Sequence, residues 1–331
     1  MRALVLAAGL GTRLRPLTLD RPKPLLPVLG RPLVAYTLDR LAELPCELAA
    51  VNLHHLGEQM PAALGDEHRG MPLVYSHEPE VLGTLGALAP LAQVLRAAEV
   101  VVLVNGDSLC DWPLAELVAD HRASGAAATL LLSEIADPAE FGGGVGLATD
   151  GRIVSFRRAG LEIGPPARRV VFAGAHALSP TLLDRAPARP ADIVRELYEP
   201  MLTEGAVIRG VTTVRNWHDL GTPRRYLDAA LARLAAAGLE SWVAPGAAVA
   251  ASARLEATVV EDGARVEEGV VLERALVLPG ARVGAGATVE GSIVGFDAEV
   301  PAGATVVAEL VSGRGAASTR RPLGSSGGPG G

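Results

Sequence analysis

The sequence lacks the features expected of a nucleic-acid-binding, membrane-spanning or disulfide-stabilised protein. Among 331 residues, Lys plus Arg number 30 and Asp plus Glu number 37, so the net charge is −7, and no basic run is flanked by aromatic residues. No apolar run approaches the roughly 18 residues of a membrane helix. Two cysteines, Cys46 and Cys110, are too few for a disulfide framework, and neither is part of a CxxC pair. These absences predict a soluble, cytoplasmic protein with no nucleic-acid or membrane partner.

Aromatic residues are also scarce, at 3 % of the chain against an apolar fraction of 49 %. A sizeable hydrophobic core must therefore be built from Ala, Val and Leu. Glycine (38) and proline (24) together make up almost a fifth of the chain, which indicates many turns. At roughly 100–200 residues per domain, the length predicts about two domains.

A repeat with a period of 17 residues occupies the last quarter of the chain. Its aliphatic positions, spaced six, six and five residues apart, are Val243, Val249, Leu255, Val260, Val266, Leu272, Val277, Val283, Val289, Val294, Val300 and Val306. Such a step makes a three-sided coil with one aliphatic side chain per side pointing inward, and stacking four coils buries a column that no single coil could bury. The repeat predicts a short left-handed parallel β-helix over residues 239–310. Residues 311–331 have no apolar period and are expected to form a disordered tail.

The first 238 residues alternate short apolar runs with amphipathic stretches. Apolar runs at 3–8, 48–53 and 100–105 predict buried strands, and the stretch at 113–124 predicts a helix with proline in its first turn. Strands alternating with helices indicate an α/β fold, a Rossmann-like and mainly parallel sheet flanked by helices. In such sheets ligands bind at the carboxyl ends of the strands.

The first predicted strand ends in a glycine-rich turn at residues 9–13. Leu14 stands where the G-x-G-x-x-G motif needs its third glycine, and no Walker-type lysine follows, so the turn matches neither phosphate motif. Its glycines nevertheless allow backbone amides to line a phosphate. Arg13 offers a fork of donors to phosphate oxygens, and flanking prolines restrict the backbone at Lys23. On these residues alone, a solvated basic loop is the alternative.

The longer string around this turn is similar to the signature of the sugar-1-phosphate nucleotidylyltransferases. The matching segments are Leu6–Thr18, Pro22–Val28, Leu82–Leu88, Val104–Asp107 and Trp217–Pro223, which together cover about residues 1–235. The predicted β-helix resembles the C-terminal domain of many members. The resemblance implies an enzyme that joins a nucleoside triphosphate to a sugar 1-phosphate, releases pyrophosphate and uses Mg²⁺.

The resemblance also implies roles for single residues. Arg13 would hold the β- and γ-phosphates, Lys23 would stand between the α-phosphate and the sugar phosphate, and the catalytic carboxylate Asp107 would bind Mg²⁺ together with Asp219. The implied nucleotide-binding residues are Leu6, Ala8, Gly9, Gly11, Thr12, Asn52 and Gly83. The resemblance assigns the Leu82–Leu88 segment to contact with the base, and Ala8 and Gly83 would lie under the base. The residues themselves leave alternatives open: Asn52 could end a strand, Asp107 could form a turn, and Asp219 could cap a helix.

The sugar-phosphate side departs from the family pattern. Many members have Glu-Lys-Pro after a strand where this chain has Arg157 and Arg158, which carry the charge of the missing lysine without its geometry. Many members also have Asn-Ala-Gly where this chain has Phe172-Ala173-Gly174, and Gly174 completes the expected sugar-side set. The two-domain layout resembles that of the mannose-1-phosphate guanylyltransferases, which implies synthesis of GDP-mannose from GTP and mannose 1-phosphate. UTP- or dTTP-dependent transfer to N-acetylmuramate or glucose 1-phosphate is the alternative.

Two other functions are weighed against this interpretation. A non-catalytic regulatory subunit that binds a nucleotide sugar would be expected to lose catalytic side chains, yet Arg13, Lys23, Asp107 and Asp219 are all present. An acyltransferase within the β-helix is disfavoured because residues 242–307 contain no histidine to act as a base. The open terminal coil of a β-helix needs a cap or a partner, which predicts a homo-oligomer formed through this domain.

Overall fold

The computed structural model describes residues 1–156, 161–313 and 315–324. Contacts within the described residues divide the chain into two compact units: the first comprises Met1–Leu10 and Val34–Trp217, and the second comprises Gly11–Leu33 and residues 218–324. The segment 11–33 therefore belongs with the C-terminal repeat in its contacts, although it lies near the beginning of the sequence. The domain boundaries at 238 and 310 stay a prediction.

A ten-stranded mixed sheet forms the first unit. Its centre contains four parallel strands in the order Val101–Asn105, Arg2–Leu6, Ala49–Leu53 and Met71–His77. The long strand Arg168–Leu178 pairs antiparallel with Val101–Asn105 on one side and with Ala128–Ser133 on the other. The parallel strands expected from the apolar runs are present, and the antiparallel strand makes the sheet mixed. The remaining strands of this sheet are Glu67–His68, Val145–Leu147, Ile153–Ser155 and Ile208–Thr213.

Apolar spacing explains which faces of these elements are buried. Residues 3–5 and 101–104 are all buried, because central parallel strands are covered on both faces. Val34, Leu38 and Leu41 share the buried face of the Leu33–Ala42 helix, at the spacing that predicts an amphipathic helix. Each such side chain contributes about 1.5–3 kcal/mol through burial. The other α-helices of this unit are Gln59–Leu64, Gly83–Gly86, Ala92–Leu95, Leu114–Ser124 and Glu199–Thr203. Pro138–Phe141 and Pro180–Arg185 are 3-10 helices, and Val194–Tyr198 is a π-helical turn.

The second unit contains the predicted left-handed parallel β-helix, whose strands stack in three sheets. The first sheet contains Trp242–Val243, Val259–Val260, Leu276–Val277, Ile293–Val294 and Glu309–Ser312. The second contains Ala248–Val249, Arg265–Val266, Arg282–Val283 and Glu299–Val300, and the third contains Arg254–Glu256, Val271–Glu273, Thr288–Glu290 and Thr305–Val307. Each strand pairs with the strand 17 residues further on, as the repeat requires.

The inward positions behave as predicted in the second, third and fourth coils, where all nine aliphatic side chains are buried. The first coil differs: Val243 is 41 % exposed, and Val249 and Leu255 are half-buried. A terminal coil has a stacked neighbour on one side only, so its inward side chains are not covered to the same extent. The column is therefore buried from the second coil onward.

The expectation of a disordered tail is wrong for part of residues 311–331. Thr319–Pro322 forms a strand that pairs antiparallel with Glu309–Ser312, and Leu323 is buried. The pairing occupies the free edge of the last parallel strand, which would otherwise expose unpaired backbone groups. Residues 325–331 lie outside the described residues.

The rest of the second unit consists of the Pro223–Ala236 helix, the helical turns Thr12–Leu14 and Lys23–Leu25, and a ribbon of Pro27–Val28 with Arg31–Pro32. There are two further short strands. Ser108–Cys110 comes directly after the Val101–Asn105 strand in the chain, and Trp217–Asp219 comes before the Pro223–Ala236 helix. Within the described part of the chain, no helix is long and apolar enough to cross a membrane. The cytoplasmic location stays a prediction.

Candidate functional site

The carboxyl ends of the central strands bring several predicted site residues together in the first unit. Leu6 is level with Asn52 on one neighbouring strand and with Asn105 on the other. Directly beyond Asn105, the Gly106 amide donates to the Leu6 carbonyl at 2.9 Å. The glycine-rich turn, Asn52 and the Asp107 turn therefore all begin at one edge of the sheet, where the fold class predicts a ligand site.

Asn52 links two of these strand ends through its side-chain amide. Its Oδ1 accepts a hydrogen bond from the Ala7 backbone N–H at 2.7 Å, and its Nδ2 donates to Glu78 Oε1 at 2.8 Å. The other oxygen of Glu78 accepts from the Leu82 backbone N–H at 2.9 Å. Both side chains are buried, so these hydrogen bonds fix the backbone at residues 7 and 82. A nucleotide contact by Asn52 stays a prediction.

Glu78 is the residue of this network that the sequence analysis missed. It follows the Met71–His77 strand immediately, so it occupies the carboxyl end of a central strand. The rule that ligand-site residues gather at these ends would have singled it out. A buried carboxylate that accepts two hydrogen bonds ties the Leu82–Gly83 segment to the edge of the sheet.

Gly83 has a structural reason to be glycine. Its φ is +72°, and a Cβ there would lie 2.7 Å from the Ala191 carbonyl oxygen. The Leu85 amide donates to that carbonyl, and the Ala191 amide donates to the Leu82 carbonyl, so residue 191 pairs directly with this segment. Packing thus explains the glycine, and the role of Gly83 beneath a base stays a prediction, as does that of the buried Ala8.

Gly9 presents the opposite case. A Cβ on Gly9 would have no described atom within 4 Å, and the residue is exposed. The described residues therefore give no packing reason for glycine here. Close approach of a ligand to the backbone remains the interpretation that the sequence favoured.

Asp107 and Gly174 are placed by the Val101–Asn105 strand. Asp107 is half-buried in the turn between this strand and Ser108–Cys110. Gly174 has φ +83°, and a Cβ on it would lie 3.2 Å from Asn105 Nδ2. Gly174 therefore lies against the strand end that leads into Asp107, and its role on the sugar side stays a prediction. Arg157 and Arg158 lie outside the described residues.

In the second unit, Gly11 closes the loop that contains Thr12 and Arg13. Its φ is +60°, its carbonyl accepts from the Thr18 hydroxyl at 2.8 Å, and a Cβ on it would lie 3.1 Å from Thr18 Cγ2. Both the backbone conformation and the close contact require glycine. Thr12 and Arg13 themselves are exposed. The loop thus folds on its own atoms and presents these two side chains outward.

Lys23 lies in a cluster of charged side chains. Its side chain is only 7 % exposed, and Nζ lies 3.7 Å from Asp219 Oδ1. The second oxygen of Asp219 accepts from Arg225 Nη1 at 3.1 Å. A Cβ on Gly221 would lie 2.9 Å from Asp219 Oδ2 and 3.0 Å from Arg13 Nη2, so Gly221 allows Arg13 to approach the same carboxylate. Three cations around one carboxylate leave an excess of positive charge, which suits an anionic ligand.

Asp219 does not cap the helix that follows it. The N-cap of Pro223–Ala236 is Thr222, whose hydroxyl accepts from the Arg225 backbone N–H. The helix-cap alternative for Asp219 is therefore wrong. Its carboxylate instead interacts with Lys23 and Arg225.

The sequence contains a signal for Lys23 that the motif analysis did not use. Among the 30 basic residues, Lys23 is the only lysine. On a solvated surface arginine and lysine are often exchangeable, but a compact ammonium is required where the fork of a guanidinium does not fit. Because every other basic residue among the Lys and Arg residues is arginine, we infer that position 23 requires the ammonium group itself.

Asp107 and Asp219 are the carboxylates predicted to bind Mg²⁺. Each has the chemistry expected of a ligand to an ion whose remaining ligands are phosphate oxygens of the substrate and water. The described residues include no group of three or more His, Cys, Asp or Glu side chains that could hold a metal ion. Mg²⁺ in phosphate-transfer sites is bound by one or two carboxylates, phosphate oxygens and water rather than by a protein cage. Asp107, half-buried at a strand end, and Asp219, 24 % exposed, are suited to that mode of binding.

These observations define an α/β protein with a cluster of cationic side chains around Asp219 and a hexapeptide β-helix at its C-terminal end. Residues 2–235 match the family model described as nucleotidyl transferase, and residues 227–314 match that described as GlmU-like, C-terminal hexapeptide. The chain belongs to the nucleotidyl transferase family.

Relatives agree with this assignment, and a solved structure has a similar fold. The chain is 33 % identical to a mannose-1-phosphate guanylyltransferase catalytic subunit beta of Drosophila melanogaster, over 68 % of this chain and 61 % of the relative. It is 31 % identical to a probable mannose-1-phosphate guanylyltransferase 2 of Arabidopsis thaliana, over 69 % of this chain and 63 % of the relative. The match thus spans about three-fifths of the length of these relatives. The fold is similar to that of HddC from Yersinia pseudotuberculosis, solved in complex with GMP-PN, with a TM-score of 0.57, 22 % identity, and coverage of 69 % of this chain and 97 % of that one.

Proposed function

We propose that this protein is a Mg²⁺-dependent sugar-1-phosphate nucleotidylyltransferase that converts GTP and mannose 1-phosphate to GDP-mannose and pyrophosphate. The observation that carries the proposal is the charged cluster of the second unit. There the only lysine of the chain is buried beside Asp219, and Gly221 allows Arg13 to approach. Family membership supports the class of reaction.

The reaction needs charge stabilisation more than proton transfer. An oxygen of the sugar phosphate attacks the α-phosphorus in line, the bond from that phosphorus to the bridging oxygen of the β-phosphate breaks, and pyrophosphate leaves. The nucleophile is already an anion, so no general base is required. Positioning and electrostatic stabilisation therefore supply most of the rate. In the proposed roles, Lys23 binds the α-phosphate and the sugar phosphate, and Arg13 binds the leaving pyrophosphate.

The backbone is proposed to supply further donors. The turn at residues 9–12 has glycine at positions 9 and 11, which leaves its amides accessible to phosphate oxygens. Asp107 and Asp219 are proposed to hold Mg²⁺, which when bound neutralises charge on the triphosphate. Asp219 also lies at ion-pair distance from Lys23, so the same carboxylate orients the ammonium.

The choice of guanine rests on Glu78 and on the relatives. Glu78 accepts from the Leu82 amide beside Gly83, in the segment that the family resemblance assigns to the base. A carboxylate only accepts hydrogen bonds, and each of its oxygens has a second lone pair. Guanine presents two adjacent donors, N1–H and the N2 amino group, whereas uracil and thymine present one. The matched relatives are named for guanylyl transfer to mannose 1-phosphate, which supports the same pair.

The test is a pyrophosphate-release assay with Mg²⁺, in which four nucleoside triphosphates are crossed with mannose, glucose, N-acetylglucosamine and N-acetylmuramate 1-phosphates. We expect GTP with mannose 1-phosphate to give the highest rate, and EDTA to abolish it. Lys23→Met is the inactive comparison, and Lys23→Arg tests whether charge alone suffices. UTP or dTTP as the preferred triphosphate would replace the proposed substrates. No turnover with any pair, together with tight binding of nucleotide sugars, would support the regulatory-subunit alternative.

We also propose that the protein forms a homo-oligomer through the β-helix. The support is the first coil, where Val243 is exposed and its two inward companions are only half-buried. Light scattering should give more than one chain per particle, and Val243→Asp should reduce that number without lowering the activity per chain. A single chain per particle at working concentration would refute this proposal.

A further inference from the structure

One corner of the β-helix departs from its own repeat. The corner follows each strand of the first sheet, and in the first and third coils it reads Pro-Gly-Ala, at residues 245–247 and 279–281. The second coil has Asp-Gly-Ala at 262–264, but the fourth has Phe296-Asp297-Ala298. Asp297 adopts φ +53°, close to the values of +70° and +72° at Gly263 and Gly280. An aspartate in this conformation is less favourable than the glycine of the second and third coils, so the repeat alone does not explain residues 296 and 297.

The residues that contact this departure belong to the segment that contains Lys23. The Arg21 guanidinium carbon lies 4.8 Å from the centroid of the Phe296 ring, a cation–π contact. At the preceding residue, a Cβ on Gly295 would lie 3.4 Å from Leu17 Cδ2. Phe296 thus contacts Arg21, two residues before Lys23, and the adjacent Gly295 lies close to Leu17.

The same corner holds the other end of the segment in the second coil. Glu261 is buried, and its Oε2 accepts from the Gly30 backbone N–H at 3.0 Å. The Trp242 ring covers Gly30 so closely that a Cβ there would lie 2.8 Å from it. The Tyr226 hydroxyl donates to the Pro27 carbonyl at 2.5 Å. Residues 27–30 are therefore fixed by side chains from the helix and from two successive coils.

We infer that this corner of the β-helix is a positioning surface for residues 16–30, and that Phe296 and Glu261 are positioning residues that set the location of the Lys23 ammonium. The inference deepens the proposed function and rests on it for the role of Lys23 in the reaction. It assigns the β-helix a part in transferase chemistry besides assembly. It also explains why the fourth coil has Phe-Asp where the first and third coils have Pro-Gly, because Phe296 supplies the aromatic face that holds Arg21.

The test restores the repeat. Phe296→Pro with Asp297→Gly gives the fourth coil the corner of the first and third coils, where proline already occupies the equivalent position. The variant loses the contact between Phe296 and Arg21, but the glycine relieves the left-handed conformation, so we expect the melting temperature to change little. We expect kcat to fall about tenfold with a smaller change in KM, because a displaced Lys23 would lose interactions made mainly in the transition state. A purely structural role would move stability and activity in the same direction.

A second readout does not depend on activity. Since Lys23 is the only lysine, the rate at which an amine reagent modifies it can be read by mass spectrometry, separately from the N-terminal amine. With its side chain 7 % exposed, Lys23 should react slowly in the unaltered protein and several-fold faster in the restored-corner variant. Glu268→Ala, at an exposed position of a different corner, is the control. It should change neither kcat nor the rate at which Lys23 is labelled.

The outcomes separate the two proposals. If the unaltered protein turns over no substrate pair, the proposed function fails, and the labelling rates still decide the positioning inference. Equal labelling rates in the variant and the unaltered protein would overturn the inference, as would an unchanged kcat in an active enzyme. Arg21→Ala provides a further check, because its effect and that of the restored corner should be strongly non-additive if they act through one contact.

Discussion

Replacing Glu261 by glutamine should remove a pH dependence from the stability of the second unit. Glu261 is 1 % exposed, and burial raises its pKa from an ordinary 4.5 to about 7. The Asp262 carboxylate raises this pKa further, whereas the backbone N–H groups of Gly30 and Leu29 lower it. Glutamine has nearly the same shape but does not ionise, so Glu261→Gln isolates the contribution of this one titration.

The direction and size follow from linkage between protonation and folding. The folded pKa is above the unfolded one, so between pH 4.5 and 7 the folded protein binds more protons than the unfolded chain. This contribution is fully present below pH 4.5 and is lost as the pH rises through 7. A shift from 4.5 to about 7 corresponds to about 3 kcal/mol. Relative to the Gln variant, the unaltered protein should therefore be about 2–3 kcal/mol less stable at pH 8 than at pH 5.

The assay is urea denaturation at pH 5 and pH 8, followed by the fluorescence of Trp242, which contacts Gly30. Trp112 and Trp217 are replaced by phenylalanine in both proteins, so that the signal reports the unit containing Glu261. Taking the difference between the two proteins cancels every other titrating group. As a control, the difference in stability between the unaltered protein and Glu268→Gln, a change at an exposed position, should not vary with pH. A difference that stays constant with pH would refute the reasoning, since Glu261 would then titrate as it does in the unfolded chain.

Three further predictions concern the site. Lys23→Met should lower kcat by roughly 10²–10³, as expected for loss of a transition-state electrostatic contact, and Lys23→Arg should recover little of it in the pyrophosphate assay. Glu78→Gln should raise the KM for GTP about tenfold or more while leaving that for mannose 1-phosphate nearly unchanged; equal changes in both would contradict a role in base recognition. Thr222→Ala should destabilise the second unit by about 1 kcal/mol in urea denaturation, whereas Thr222→Ser should retain the cap; equal stability in all three proteins would show that residue 222 is not the cap.

Periodicity predicted the architecture because it reports local geometry. A 6-6-5 spacing is compatible with a three-sided coil, and the nine aliphatic side chains of coils two to four are buried as expected. Apolar runs likewise identified the parallel strands, and the strand-end rule gave Leu6 and Asp107 a common edge. The local pattern could not predict that Thr319–Pro322 adds an antiparallel strand to the last coil.

The candidate site was only partly accessible from the sequence. The motif at residues 6–28 and the lone lysine are local features, so they identify Lys23 without a structure. The reason for Gly83, by contrast, is a carbonyl more than a hundred residues away, at Ala191. Glu78 becomes a candidate only when its hydrogen bonds to Asn52 and Leu82 are known.

The sequence by itself determined the repeat, the succession of strands and helices, and the signature string at residues 6–28, because each depends on residues close together in the chain. Only the tertiary structure decided that residues 11–33 pack with the β-helix. The contacts of Gly30 with Glu261 and of Arg21 with Phe296 join residues more than two hundred positions apart. Such contacts are set by the complementarity of distant surfaces, which no local periodicity records. Through these contacts, we infer, the second and fourth coils of the β-helix set the position of Lys23, the only lysine of the chain.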